Sequence, residues 1–122
     1  MAQRLASIIE KNSSIQVTCF EISIDKNEPW KRDIALSIEQ NKLKKGYIVL
    51  VDDVINSGKT LQYALVKFLE HSTKAIKTVV LVDRKHRRYP VKANFVGLSL
   101  STTLQDRVEV DFSKGDTKAF LV

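Results

Sequence analysis

The chain has one cysteine, Cys19, in 122 residues, so no internal disulfide can form. It sits in an apolar, strand-like run and reads as a small core residue, not a nucleophile. No apolar run approaches the ~20 residues that a membrane span needs. The opening MAQRLASIIEKNSS has no apolar signal-peptide core. These absences predict a cytoplasmic protein with no membrane partner. Internal repeats and low-complexity tracts are also missing. A chain of 122 residues allows one core but not two, so residues 1–122 are expected to form a single domain.

What is present is ordinary for a globular chain: 43% hydrophobic and 28% charged residues. The net charge of +6 favours anionic partners, either phosphorylated metabolites or nucleic acid, without choosing between them. Leu5, Ile8 and Ile9 predict a short helix over 2–12. The β-branched and aromatic run 13–24 predicts a strand. Pro29 keeps a central strand out of the loop that follows. Residues 33–39 read as a returning hairpin arm or, nearly as well, a helix, and QNKLKKG as a polar link.

YIVLVDD (47–53) is a continuous apolar strand ending on two acids, as in a parallel sheet covered on both faces. Leu61, Ala64, Leu65, Phe68 and Leu69 mark a helix over 60–71. Further strands are expected at 77–83 and 93–100, and an edge hairpin at 107–122 turning at KGD. The fold class is therefore α/β, a parallel sheet with flanking helices and a C-terminal edge hairpin.

Asp52 and Asp53 stand at the carboxyl end of a strand, where open α/β sheets bind ligands. The loop VINSGKT then opens a helix, whose unpaired N–H groups and dipole favour an anion. Gly58 allows close backbone approach, and the Ser57 and Thr60 hydroxyls add hydrogen bonds. Acids beside such a cradle suit ribose hydroxyls or a metal. A Walker A loop is excluded, because its first glycine falls on Asp53. A strand stop with a helix cap explains one acid and one hydroxyl but not the whole run.

The segment IVLVDDVINSGKT (48–60) resembles the phosphoribosyl-pyrophosphate (PRPP) motif of type I phosphoribosyltransferases. The resemblance implies that Asp52 and Asp53 hold the ribose hydroxyls and serve catalysis. It assigns the 5′-phosphate to Asn56, Ser57, Gly58, Lys59 and Thr60. LVDRKHRRYPVKANFVG (81–97) is similar to the following segment of the bifunctional pyrimidine-operon attenuator/uracil phosphoribosyltransferase family, through Asp83, Arg84, His86, Arg87, Pro90, Ala93, Val96 and Gly97. Uracil is the implied base. At position 56 the 6-oxopurine members carry an aspartate that accepts a ring proton, and Asn56 cannot act as a base near neutral pH.

The resemblance also implies Mg²⁺, held by substrate oxygens and water without a protein ligand set, and a homo-oligomer, most simply a dimer. Arg84, His86 and Arg87 in the basic loop, with Phe95, are candidates for a base-pocket wall or an RNA contact; a solvated basic loop is the plain alternative. Lys26 falls in the flexible arm of the family, in place of an arginine. Lys85 stands where the family has glycine, which predicts a changed loop path. In the resembled proteins a strand and a pyrophosphate-binding loop precede the first helix. This chain begins almost at that helix, so it is expected to be a piece of a longer protein or to have the gap filled by a partner chain, with weakened catalysis.

Overall fold

The computed structural model describes residues 1–113 and 115–122. Helix α1, Ala2–Asn12, matches the expected span and turns Leu5, Ala6 and Ile9 inward. It stops where Ser13 becomes extended and its hydroxyl donates back to Ile9 O at 2.6 Å.

The expected strand over 13–24 shrinks to β1, Ile22–Ser23, paired antiparallel with β2, Ala35–Leu36. The hairpin reading of 33–39 is therefore the observed one. A strand needs a ladder partner as well as β-branched residues. The preceding residues 15–21 have no ladder partner. Cys19 belongs to this unpaired stretch and is exposed, so its expected core role is corrected. The polar link holds a single 3₁₀ turn, Gln40–Leu43, whose Leu43 is fully buried.

Strand β3, Tyr47–Ile55, continues two residues past the acids. Helix α2, Lys59–Leu69, and strand β4, Ala75–Asp83, complete a parallel strand–helix–strand unit with Asp52 opposite Val80 and Ile55 opposite Asp83. Strand β5, Phe95–Ser99, adds to β4 in parallel, giving the order β3-β4-β5. Gly97 is needed there, because a Cβ would stand 2.7 Å from Leu81 O.

The core lies under α2. Leu61, Ala64 and Phe68 pack on Ile48, Leu50, Ile55 and Val80. Phe68 is 0% exposed, and burying such a side chain stabilises the fold by about 2–3 kcal/mol. β3 is not covered on both faces as expected: Ile48 and Leu50 are buried, whereas Tyr47 and Val49 are exposed. Every residue of β5 is exposed.

Among the described residues β3 pairs only with β4. Beside β3 lies a cavity of about 930 Å³, lined by α1 residues Leu5 and Ile9, by Val17 and Phe20, and by Leu50 and Phe68.

Strands β6, Val108–Asp111, and β7, Lys118–Leu121, form a hairpin with its own two-stranded sheet, so it does not extend the central one. The turn expected at KGD includes Lys114, which lies outside the described residues. No helix among the described residues is long and apolar enough to cross a membrane.

Candidate functional site

The site forms where β3 gives way to α2. Ladder pairing holds β3 to Ile55, so the turn to the helix is made by Asn56, Ser57 and Gly58 alone. Gly58 takes φ 85°, in the left-handed region, and Gln62 N–H donates to its carbonyl at 2.9 Å to begin the helix.

The loop after β4 grips this turn from behind. Arg84 N–H donates to Ile55 O at 3.1 Å, and Arg87 Nη1 donates to Asn56 O at 2.6 Å. Arg88 and Tyr89 N–H groups donate to Ser57 O at 2.9 and 3.0 Å. In a trans peptide the carbonyl and the next N–H point opposite ways. Three carbonyls held on one side therefore turn the N–H groups of Asn56, Ser57 and Gly58 to the other. That side is a pocket of about 240 Å³ lined by residues 54–61 with Lys26 and Asp52. Backbone donors at a helix N-terminus are an anion site.

The acids flank this cradle differently. Asp52 Oδ1 accepts Asp53 N–H at 3.0 Å and lies 3.8 Å from Lys26 Nζ. Burial raises the Asp52 pKa above the ordinary carboxylate value; the Lys26 ammonium opposes this, and the neighbouring Asp53 adds to it. Asp53 Oδ1 instead accepts Val54 N–H at 2.8 Å. Ser57 Oγ accepts Lys59 N–H at 3.3 Å.

Lys59 lines the pocket and ties its ammonium to the arm. Its Nζ donates to Asn27 O at 2.8 Å and lies 5.5 Å from the Trp30 ring centroid. Trp30 in turn leans on Tyr63, with centroids 6.5 Å apart. The arm that carries Lys26 is thereby laid across the first turn of α2.

The structure thus brings Lys26, Asp52, Asn56, Ser57, Gly58, Lys59 and Thr60 to one pocket, with Asp53 beside it. The basic loop turns three of its side chains onto its own neighbours. Arg87 Nη2 pairs with Asp83 Oδ2 at 2.8 Å, and its Nε donates to Val91 O at 3.1 Å. Arg84 is held by Asn56, Thr102, Thr103 and Asp106. His86 Nε2 meets Thr102 Oγ1 at 2.9 Å. These three side chains brace the loop instead of lining the cavity. Phe95 is not in the pocket: it stands level with Val79, four residues or ~13 Å before the ligand end of its strand. Lys85 has φ 60°, so it keeps the left-handed turn that glycine favours, at a cost of ~1 kcal/mol.

Sequence reasoning missed Thr102, Asn27 and Trp30, which become neighbours only through folding and carry no local signal. Asp83 was readable: it ends β4 as the acids near the end of β3 do. Among the described residues no group of three or more His, Cys, Asp or Glu could hold a metal by itself.

With this geometry established, the chain can be set beside known proteins. The model of the phosphoribosyl transferase domain matches residues 1–113. A bifunctional protein PyrR of Herpetosiphon aurantiacus is 35% identical over 122 residues, which is 95% of this chain and 68% of that protein. One from Geobacter sulfurreducens is 40% identical over 83 residues, covering 67% of this chain and 44% of the relative. A crystal structure of a hypoxanthine-guanine phosphoribosyltransferase from Bacillus anthracis is similar with a TM-score of 0.62 and 25% identity, over 78% of this chain. The matched region spans 57% of that solved chain.

Proposed function

From the chain's membership of the phosphoribosyl transferase domain family, we propose that residues 1–122 form one domain that binds PRPP and transfers its phosphoribosyl group to a pyrimidine base, most simply uracil. The products would be UMP and pyrophosphate. The observation that carries this reading is the loop of 55–58, with three carbonyls tied back and its N–H groups facing a pocket flanked by two acids.

In this reading the N–H groups of residues 56–58, with Thr60, bind the 5′-phosphate. Asp52 and Asp53 accept hydrogen bonds from the ribose hydroxyls and stabilise positive charge developing on the ring. A bond forms between C1 and a pyrimidine nitrogen as the bond from C1 to pyrophosphate breaks, and the ring nitrogen's proton leaves to solvent. Lys26, now beside Asp52, belongs to an arm that can cover the reacting centre. Two adjacent carboxylates, one paired with a displaceable lysine, fit a hydrated Mg²⁺ held mainly by ligand oxygens. Bound there, such an ion would neutralise charge on the pyrophosphate leaving group. A cytoplasmic homo-oligomer is the setting this reading carries with it.

The test is direct. The protein is incubated with PRPP, Mg²⁺ and labelled uracil, with hypoxanthine as the competing base, while PRPP binding is followed by calorimetry. UMP formation in preference to IMP is expected. No PRPP binding at millimolar concentration would overturn the reading.

A second reading, a nucleotide-sensing RNA-binding module, is favoured by one observation. Lys85, Arg88 and Lys92 are exposed, and no ion pair among the described residues engages them. Arg87 is unsuitable as a probe because it braces the phosphate loop. Lys85→Ala with Arg88→Ala should lower the salt dependence of RNA affinity by up to about two units in log–log slope and leave UMP binding intact. An unchanged slope would return these residues to solvated surface.

A further inference from the structure

Asn56 is held twice. Arg87 Nη1 donates to its backbone carbonyl at 2.6 Å, and Arg84 Nη1 donates to its side-chain Oδ1 at 2.8 Å. Arg84 cannot swing away freely. Its Nε donates to Thr102 Oγ1 at 3.0 Å, and its Nη2 donates to the carbonyls of Thr103, at 3.0 Å, and Asp106. The guanidinium offers donors only. A flipped Asn56 amide would set NH₂ against N–H and forfeit a charge-assisted bond, so the amide has one favoured orientation. Its Nδ2 has no partner among the described residues, and Asn56 lines the pocket.

We propose that Arg84 is a positioning residue for ligand specificity: by holding Asn56 Oδ1 it makes position 56 offer the bound base an N–H donor and no acceptor. The inference rests on the phosphoribosyl reading and deepens it by naming the chemistry of the base edge that faces this residue. That edge carries a carbonyl oxygen with a C–H, not a second ring N–H, on the side away from the imide. An aspartate at position 56 would present the opposite polarity, even while paired with the same guanidinium. The neutral amide and the arginine therefore act as one unit, a donor whose direction is set from a loop nearly thirty residues away.

Two nearly isosteric ligands separate the possibilities. UMP and pseudouridine 5′-monophosphate share phosphate, ribose and both carbonyls. They differ in that the second bears an N–H where UMP has a C–H beside a carbonyl. The parent protein is expected to prefer UMP by about tenfold, the size of one misdirected hydrogen bond. Asn56→Asp should abolish or reverse that ratio. Arg84→Lys frees the amide to rotate and should bring the ratio close to one. Inorganic phosphate affinity should change little in Arg84→Lys, because Arg87 and the backbone donors still hold the cradle.

Calorimetry with all three ligands, on variants shown to be folded by circular dichroism, reads both quantities. Equal binding of the two nucleotides to the parent, or an unmoved ratio in either variant, overturns the proposal while phosphate binding leaves the parent reading standing. Absence of phosphate binding to the parent overturns both. A purely structural role for Arg84 would lower all affinities together and leave the ratio in place, which also overturns it.

Discussion

Replacing Gly58 by valine is expected to lower affinity for nucleotide 5′-monophosphates by at least about a hundredfold. Gly58 sits at φ 85°, where a β-branched residue is strained by ~1–2 kcal/mol. Space is the second obstacle. A Cβ there would stand 2.5 Å from Val91 Cγ1, 3.4 Å from Arg87 Cδ and 3.7 Å from Tyr89 O. The added side chain therefore strikes the segment that holds Asn56 and Ser57 in place. Overpacking adds ~1–3 kcal/mol, so the variant loses stability as well as its cradle. Calorimetry with UMP, performed well below a melting point measured in parallel, separates the two losses. Undiminished binding in the folded variant would mean that the anion site lies elsewhere.

Removing both charges, Asp52→Asn with Asp53→Asn, should weaken PRPP–Mg²⁺ by about thirtyfold or more and inorganic phosphate by less than about threefold. The acids address the sugar and its ion, whereas the backbone addresses the phosphate. Equal losses for both ligands would contradict that division. The single change Asp52→Asn has a pH signature. Burial raises the folded-state pKa of Asp52, so the fold favours the protonated carboxyl. Its relative stabilisation is complete below the unfolded value of about 3.9 and is lost as pH rises through the folded value. Asp52→Asn should therefore melt a few degrees higher than the parent at neutral pH and match it near pH 3, the gain being reduced by the lost pairing with Lys26. Thermal melts at the two pH values check the sign. Through the same raised pKa, PRPP affinity of the parent should fall on acidification sooner than an ordinary carboxylate would allow.

The parts of this fold that could be read from the chain are those whose signals are local. β3, α2 and β4 announce themselves by apolar runs and by Leu61, Ala64 and Phe68 at helical spacing. The acids and the loop 56–60 are a contiguous motif, so their grouping survives folding unchanged. Cys19 and its neighbours show the limit. Their composition is that of a strand, but a ladder depends on what stands alongside, and only Ile22 and Ser23 meet a partner.

The basic loop shows it again. Five cationic positions between 84 and 92 look alike as letters. Folding spends Arg84 and Arg87 on carbonyls, on Asn56 and on Asp83, and leaves Lys85, Arg88 and Lys92 outside. Charge is legible in a sequence, but its direction is not. The position of Phe95 was hidden for a related reason: its strand is legible, but its place at the end away from the acids is set by the register with β4.

The sheet order has a consequence for how the molecule breathes. Among the described residues β4 is bonded along both edges, whereas β3 is bonded along one. Amides between two ladders exchange with solvent only through larger openings, and those on a free edge exchange through smaller ones. Asp83, which anchors Arg87 and through it the phosphate loop, lies on the protected strand. Asp52 and Asp53 lie on the strand with the open side. With β3 paired only to β4, the two halves of one binding site belong to regions of unequal persistence, and fluctuations reach the ribose end before they loosen the anchor of the phosphate end.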